Sequence, residues 1–135
     1  MPDKFTPEIR SHIMSQIKSK DTKIEKIVFG YLRKRGVYFQ KHYIRAVGSP
    51  DVALPRKKKA VFIDGEFWHG YTLEKRKDRL PMFWIQKIIR NVKRDRRFRA
   101  ELREKGWQTM RVWEHELGKK NRDETLEKIY EFLTK

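Results

Sequence analysis

Five acids and one histidine in this chain stand where they could do chemistry. Asp51 follows Pro50 at the head of a short apolar run, and Asp64 closes another, Val61-Phe62-Ile63. Glu66 and His69 come directly after Asp64. If the two runs are neighbouring strands, their carboxylates converge at one edge. Two such groups make a hard-oxygen site suited to Mg²⁺, which favours oxygen ligands and keeps several waters. A neutral histidine beside that ion can take a proton from water near neutral pH. The fourth acid, Asp95, falls on the apolar side of a helical pattern at about 100° per residue, close in angle to Ile88. It reads either as an internal ion pair with an arginine or as a partner for the cleft, because an isolated buried carboxylate is costly. The fifth, Glu25, is the last residue of Thr22-Lys23-Ile24-Glu25, a capping-box pattern. It either closes that box or reaches the cleft to hold a hydrated ion, and is expected to serve both only in alternation.

Charge sharpens the choice. Lys and Arg number 34 against 18 Asp and Glu, a net charge of +16. So basic a surface concentrates polyanions, of which nucleic acid is the commonest. Metal-held carboxylates inside a basic shell suit phosphodiester hydrolysis: the shell holds the polyanion and the ion activates water. The helix carrying Asp95 supplies part of the shell, with Lys87, Arg90, Lys93, Arg94, Arg97 and Arg99 expected on its outer surface. There is no cysteine, which excludes disulfides, thiolate zinc sites and cysteine nucleophiles. The polar start, MPDKFTPEIR, reads as no signal peptide, and no apolar run approaches the roughly 20 residues of a membrane span. A cytoplasmic, intracellular protein is expected.

The elements that must position these groups follow from periodicity. A short helix is predicted over 7–18 from Pro7, and another from Thr22 to Gly36, with Ile24, Ile27, Val28, Tyr31 and Leu32 on one face. Val37–Tyr43 reads as a strand, Gly48-Ser49-Pro50 as a turn, and a second strand starts at Asp51. Arg56–Lys59 is a tight connection to Ala60–Asp64, the most apolar strand and the expected centre of the sheet. Residues 70–80 form a charged loop, Phe83–Glu104 a long helix, Trp107–Trp113 a strand and Thr125–Thr134 a closing helix. The order α-β-β-β-α-β-α predicts an α/β fold, a small mixed sheet flanked by helices. One domain over 1–135 is expected.

Aromatic rings have two uses here. Phe67, Trp68 and Trp84 read as core, or as rings that wedge into a base stack, where stacking contributes about 1–3 kcal/mol per base. Trp107 and Trp113 read as structural.

The segments RSHIMSQIKSKDTKIEK, GSPDVALP, AVFIDGEFWHG, FWIQKIIRNVKRDRR and GWQTMRVWEHEL together resemble the very short patch repair (Vsr) mismatch endonucleases, from about Arg10 to Leu117. The resemblance implies a restriction-endonuclease-like core and a Mg²⁺-dependent enzyme, with one or two ions, that cuts one DNA strand beside a T:G mismatch. It implies Asp51 as central metal ligand, Glu25 as support for hydrated metal, and His69 as the residue that orients or deprotonates water. Asp95 would pair with His69, and Phe67, Trp68 and Trp84 would insert beside the mismatch. Met14 and Ile17, in a DNA-contacting segment over 1–20, would reach the opposite groove. Lys87 and Arg94 are expected on the duplex, and the protein is expected to be a monomer.

This chain departs from the family in two places. Its best-known members have histidine where Asp64 stands, and an aspartate there resembles the wider Pro-Asp … Asp/Glu-x-Lys nucleases, which would make Asp64 a direct metal ligand. The lysine of that wider pattern is Glu66 here, so the role of Glu66 is open. The family often carries a structural zinc, but the corresponding positions include Glu66, Tyr71 and His115, and no zinc is expected. The rival readings are a restriction, homing or junction nuclease on the same fold, and a non-catalytic basic nucleic-acid-binding protein.

Overall fold

The computed structural model describes residues 22–65, 69–71 and 78–135. Helix α1 (Lys23–Lys34) starts at a complete capping box, in which the Thr22 side chain accepts from the Glu25 N–H and Glu25 accepts from the Thr22 N–H. Strands β1 (Gln40–Lys41), β2 (Val52–Leu54) and β3 (Lys59–Asp64) follow, then α2 (Met82–Glu104), β4 (Gln108–Trp113), a 3₁₀ turn over Glu114–Leu117, and α3 (Arg122–Thr134). The four strands form one mixed sheet in the order β1-β2-β3-β4. β2 and β3 are antiparallel with Val52 opposite Val61, whereas β3 and β4 are parallel with Asp64 opposite Trp113. β3 is thus paired on both sides, as its apolar run predicts.

Alternation along the strands divides the sheet's faces. Val61 and Val112 join Val28, Leu32, Ile129 and Leu133 in the core beneath α1 and α3. Phe62, Asp64, Arg111 and Trp113 therefore point to the other face, where α2 crosses the sheet. The sequence puts a strand over Val37–Tyr43, but only Gln40 and Lys41 pair. His42 ends the ladder with φ of 50°, a left-handed backbone that a strand cannot continue. The expected helix over 7–18 lies outside the described residues, as do Met14, Ile17, Glu66, Phe67 and Trp68. Among the described residues no helix is long and apolar enough to cross a membrane.

Candidate active site

The β2–β3 pairing carries Asp51 to the edge of the sheet beside α1. Asp51 Oδ2 accepts the Ile63 N–H at 2.7 Å, which fixes the carboxylate against the central strand. Its other neighbours are Glu25, from the first turn of α1, and His42, from the bend that ends β1. His42 Nδ1 lies 3.7 Å from both Glu25 Oε2 and Asp51 Oδ1. The His42 backbone N–H donates to the Asp51 carbonyl at 3.1 Å, and its ring packs edge-on against Phe29, so the bend is held at both ends. Glu25 is only 4% exposed, yet it faces an acid. Burial is the largest cause that pushes the Asp51 carboxyl up, to about 9; the hydrogen bond it shares with Glu25 and the charges of Glu25 and Asp64 add to it.

Glu25 closes the capping box with one oxygen and leaves the other for its neighbours in the cleft. Oε1 takes the Thr22 N–H at 3.0 Å, while Oε2 turns toward His42. The capping box therefore orients the acid for the cleft.

A second cluster lies on the α2 side. His69 Nδ1 is 2.5 Å from Asp95 Oδ2, and His69 Nε2 is 3.6 Å from Asp64 Oδ1. Arg111, on β4, donates through Nε to Asp64 Oδ2 at 2.7 Å, and its Nη2 lies 3.6 Å from Asp95 Oδ2. The guanidinium stacks 4.1 Å above the Trp113 ring. Asp95 thus faces both an arginine and the histidine. Burial raises the Asp64 carboxyl above its ordinary range, and the charges of His69 and Arg111 counter that rise. The loop reaches α2 because it contains Gly70. With φ of 83°, its backbone passes so close that an added Cβ would lie 2.5 Å from Val92 Cγ2.

The two clusters differ in their fitness for a cation. Glu25, His42 and Asp51 offer two carboxylates and an imidazole, with ligand atoms within 4.8 Å of one another. Burial first, and the neighbouring acid second, push the Asp51 carboxyl up, and a divalent ion would favour its charged form. Asp64, His69 and Asp95 are equally close, but there the Arg111 guanidinium already supplies positive charge. The residues at Asp51 and Glu25 fit a divalent metal.

Comparison with known proteins agrees with this chemistry. The family profile of DNA mismatch endonuclease Vsr matches residues 2–75. The chain belongs to the Vsr family. DNA mismatch endonuclease Vsr of Escherichia coli strain K12 is 35% identical over 116 residues, which cover 84% of this chain and 74% of that protein. Type II nicking enzyme V.NmeDIP of Neisseria meningitidis serogroup C is 38% identical over 120 residues, 87% of this chain and 81% of that one. Type II nicking enzyme V.NmeAIP of Neisseria meningitidis serogroup A is 40% identical over 124 residues, 89% and 87% respectively. This Vsr-family protein is a DNA endonuclease that nicks one strand.

Around the clusters, α2 of the Vsr-family chain presents cations and aromatic rings. Lys87 and Arg94 are exposed on α2. Trp84 is half-buried at the start of that helix, edge-on to the exposed Phe83, with the Lys87 ammonium 5.5 Å from its ring. Arg99 was expected on the outer surface and is not there. It stands one turn after Asp95, hence on the same side; burial and the charge of Arg111 hold its pKa below the usual range. The sequence reading also missed His42 and Arg111. His42 sits in a run that reads as strand, and Arg111 in one that reads as structural. Only the register, with Phe62 opposite Arg111, brings the arginine to the α2 face.

Proposed function

We propose that the strand cut by this enzyme lies beside a T:G mismatch in duplex DNA, and that its ion is Mg²⁺, on a restriction-endonuclease-like core. The observation that carries the reading is the close pair of acids Glu25 and Asp51, which share a hydrogen bond, together with the His69–Asp95 pair. Asp51 is proposed as the central ligand, Glu25 as the group that holds hydrated metal, and Asp64 as a further carboxylate of the site. Bound there, Mg²⁺ would offset charge on the phosphate and acidify a water.

The chain's own groups supply the rest. With Asp95 accepting the Nδ1–H of His69, Nε2 carries no hydrogen and takes a proton from the attacking water. Lys87 and Arg94 hold the backbone phosphates, and Trp84, with Phe67 and Trp68, opens the stack at the mismatch. Residues 1–20, including Met14 and Ile17, are proposed to contact the opposite groove. Glu66 stays without an assigned role. The protein is proposed to act as a monomer, one domain over 1–135, in the cytoplasm.

The test compares two end-labelled duplexes of equal sequence apart from one T:G or T:A pair, with Mg²⁺, on denaturing gels. Cutting of one strand in the T:G duplex alone is expected. Equal cutting of both duplexes would remove the mismatch assignment.

A further inference from the structure

The second cluster contains a group that neither metal binding nor proton transfer uses. Arg111 bridges the two acids that flank His69, at 2.7 Å to Asp64 Oδ2 and 3.6 Å to Asp95 Oδ2. Its side chain is only 21% exposed, and it is pinned above Trp113, the residue paired with Asp64 across β3 and β4. Arg111, Asp64, His69 and Asp95 thus close a ring of contacts around one imidazole.

An imidazole between two carboxylates has two competing destinations for its N–H. Which nitrogen carries the hydrogen is set by the hydrogen bond the other groups leave available. Asp64 Oδ1 is 3.6 Å from Nε2, so without a competitor it would draw that nitrogen's hydrogen. The Arg111 Nε–H engages the other oxygen of that carboxylate, Oδ2, through a short, charge-assisted bond, which draws charge toward Oδ2 and leaves Oδ1 the weaker acceptor. We infer that Arg111 is a positioning residue for His69: by engaging Asp64 it commits the imidazole hydrogen to Asp95 and leaves Nε2 as the acceptor facing the cleft. The inference deepens the proposed role of His69 and rests on it. Lysine would be a poor substitute, since its compact ammonium lacks the rigid planar fork that reaches Asp64 through Nε and Asp95 through Nη2.

The experiment records the imidazole ¹⁵N shifts and the Nδ1–H signal of His69 by NMR in metal-free protein. The wild type is expected to show one tautomer, with hydrogen on Nδ1. Arg111→Gln should show mixed tautomers, and Asp64→Asn/Arg111→Gln should restore the single form, because the competing carboxylate is gone. Single-turnover nicking by Arg111→Gln should fall at least about tenfold, with DNA affinity within about threefold of wild type. Should Arg111→Gln fail to fold, Arg111→Lys keeps the charge and is expected to give a mixed spectrum. A wild-type-like spectrum in whichever single variant folds overturns the inference. So does a loss of DNA affinity with a shallower salt dependence, which would make Arg111 a phosphate contact. Wild-type nicking by His69→Ala would instead sink the base role while leaving the tautomer result standing.

Discussion

His69 Nδ1 and Asp95 Oδ2 are 2.5 Å apart, so the loop after β3 is tied to the middle of α2. By holding Nδ1, Asp95 Oδ2 turns Nε2 to the opposite side, toward Asp64. Asp95→Asn keeps the shape but offers either an amide hydrogen or a weaker acceptor. Single-turnover nicking should fall by about 10²–10⁴, the range for losing a positioned base, while DNA affinity stays within a small factor. An unchanged rate would show that the contact does not serve catalysis.

Gly70 makes that contact possible. Alanine there would put a methyl 2.5 Å from Val92 Cγ2 at a φ of 83°. Gly70→Ala should lose about 1–3 kcal/mol in denaturant unfolding through overpacking and backbone strain. It should also slow nicking, because His69 moves with the loop. Val92→Ala in the same chain should return part of the stability. A fully stable, fully active Gly70→Ala would contradict the close approach.

The Asp51 carboxyl, pushed up to about 9, links the site to pH. An unfolded aspartate releases its proton near pH 4. Between about pH 4 and pH 9 the folded, ion-free protein therefore holds a proton that the unfolded chain has lost, so its stability falls as pH rises through that window. A divalent ion takes the proton's place. Mg²⁺ or Mn²⁺ binding at pH 7 should release close to one proton, read by calorimetry in buffers of different ionisation enthalpy, and should tighten toward pH 9. Binding with no proton release would place the ion elsewhere.

Glu25 allows stability and ion binding to be separated. Thr22→Ala removes the side chain that caps α1 and should cost about 1 kcal/mol, with ion affinity nearly unchanged. Glu25→Gln keeps an oxygen for the Thr22 N–H but loses the charge beside Asp51. It should unfold much as the wild type does and bind the ion at least about tenfold more weakly. Equal ion affinity in both variants would leave Glu25 a cap and nothing more.

Much of this arrangement is legible in the sequence, because the signals are local. The capping box, the apolar run of β3 and the helical stripe around Asp95 each follow from the spacing of a few residues. Pro50-Asp51 and Asp64 mark the strand ends they occupy, since a polar residue bounds each apolar run. The residues the sequence hides depend on pairing across long separations. Arg111 becomes visible only when β4 lies parallel to β3 in a register that sets it opposite Phe62, 49 positions earlier. His42 becomes visible only through its left-handed backbone, which ends β1 and turns the ring toward Asp51. Arg99 was misplaced because a run of basic residues reads as one exposed face, although its angle matches that of Asp95. Asp64 reads from sequence as a metal ligand, and its hydrogen bond with Arg111 is a tertiary contact that spacing cannot reveal.

The central claim is that cutting depends on the Asp51 carboxylate and that DNA binding does not. Asn is close in shape to the protonated acid that Asp51 is when no ion is bound, so Asp51→Asn should fold at least as stably as the wild type in ion-free buffer. The decisive measurement is the nicking rate of Asp51→Asn on a labelled T:G duplex with Mg²⁺, at enzyme concentrations that saturate binding in a parallel gel-shift assay. The predicted result is full DNA binding with no detectable nick. Nicking at the wild-type rate would contradict the account.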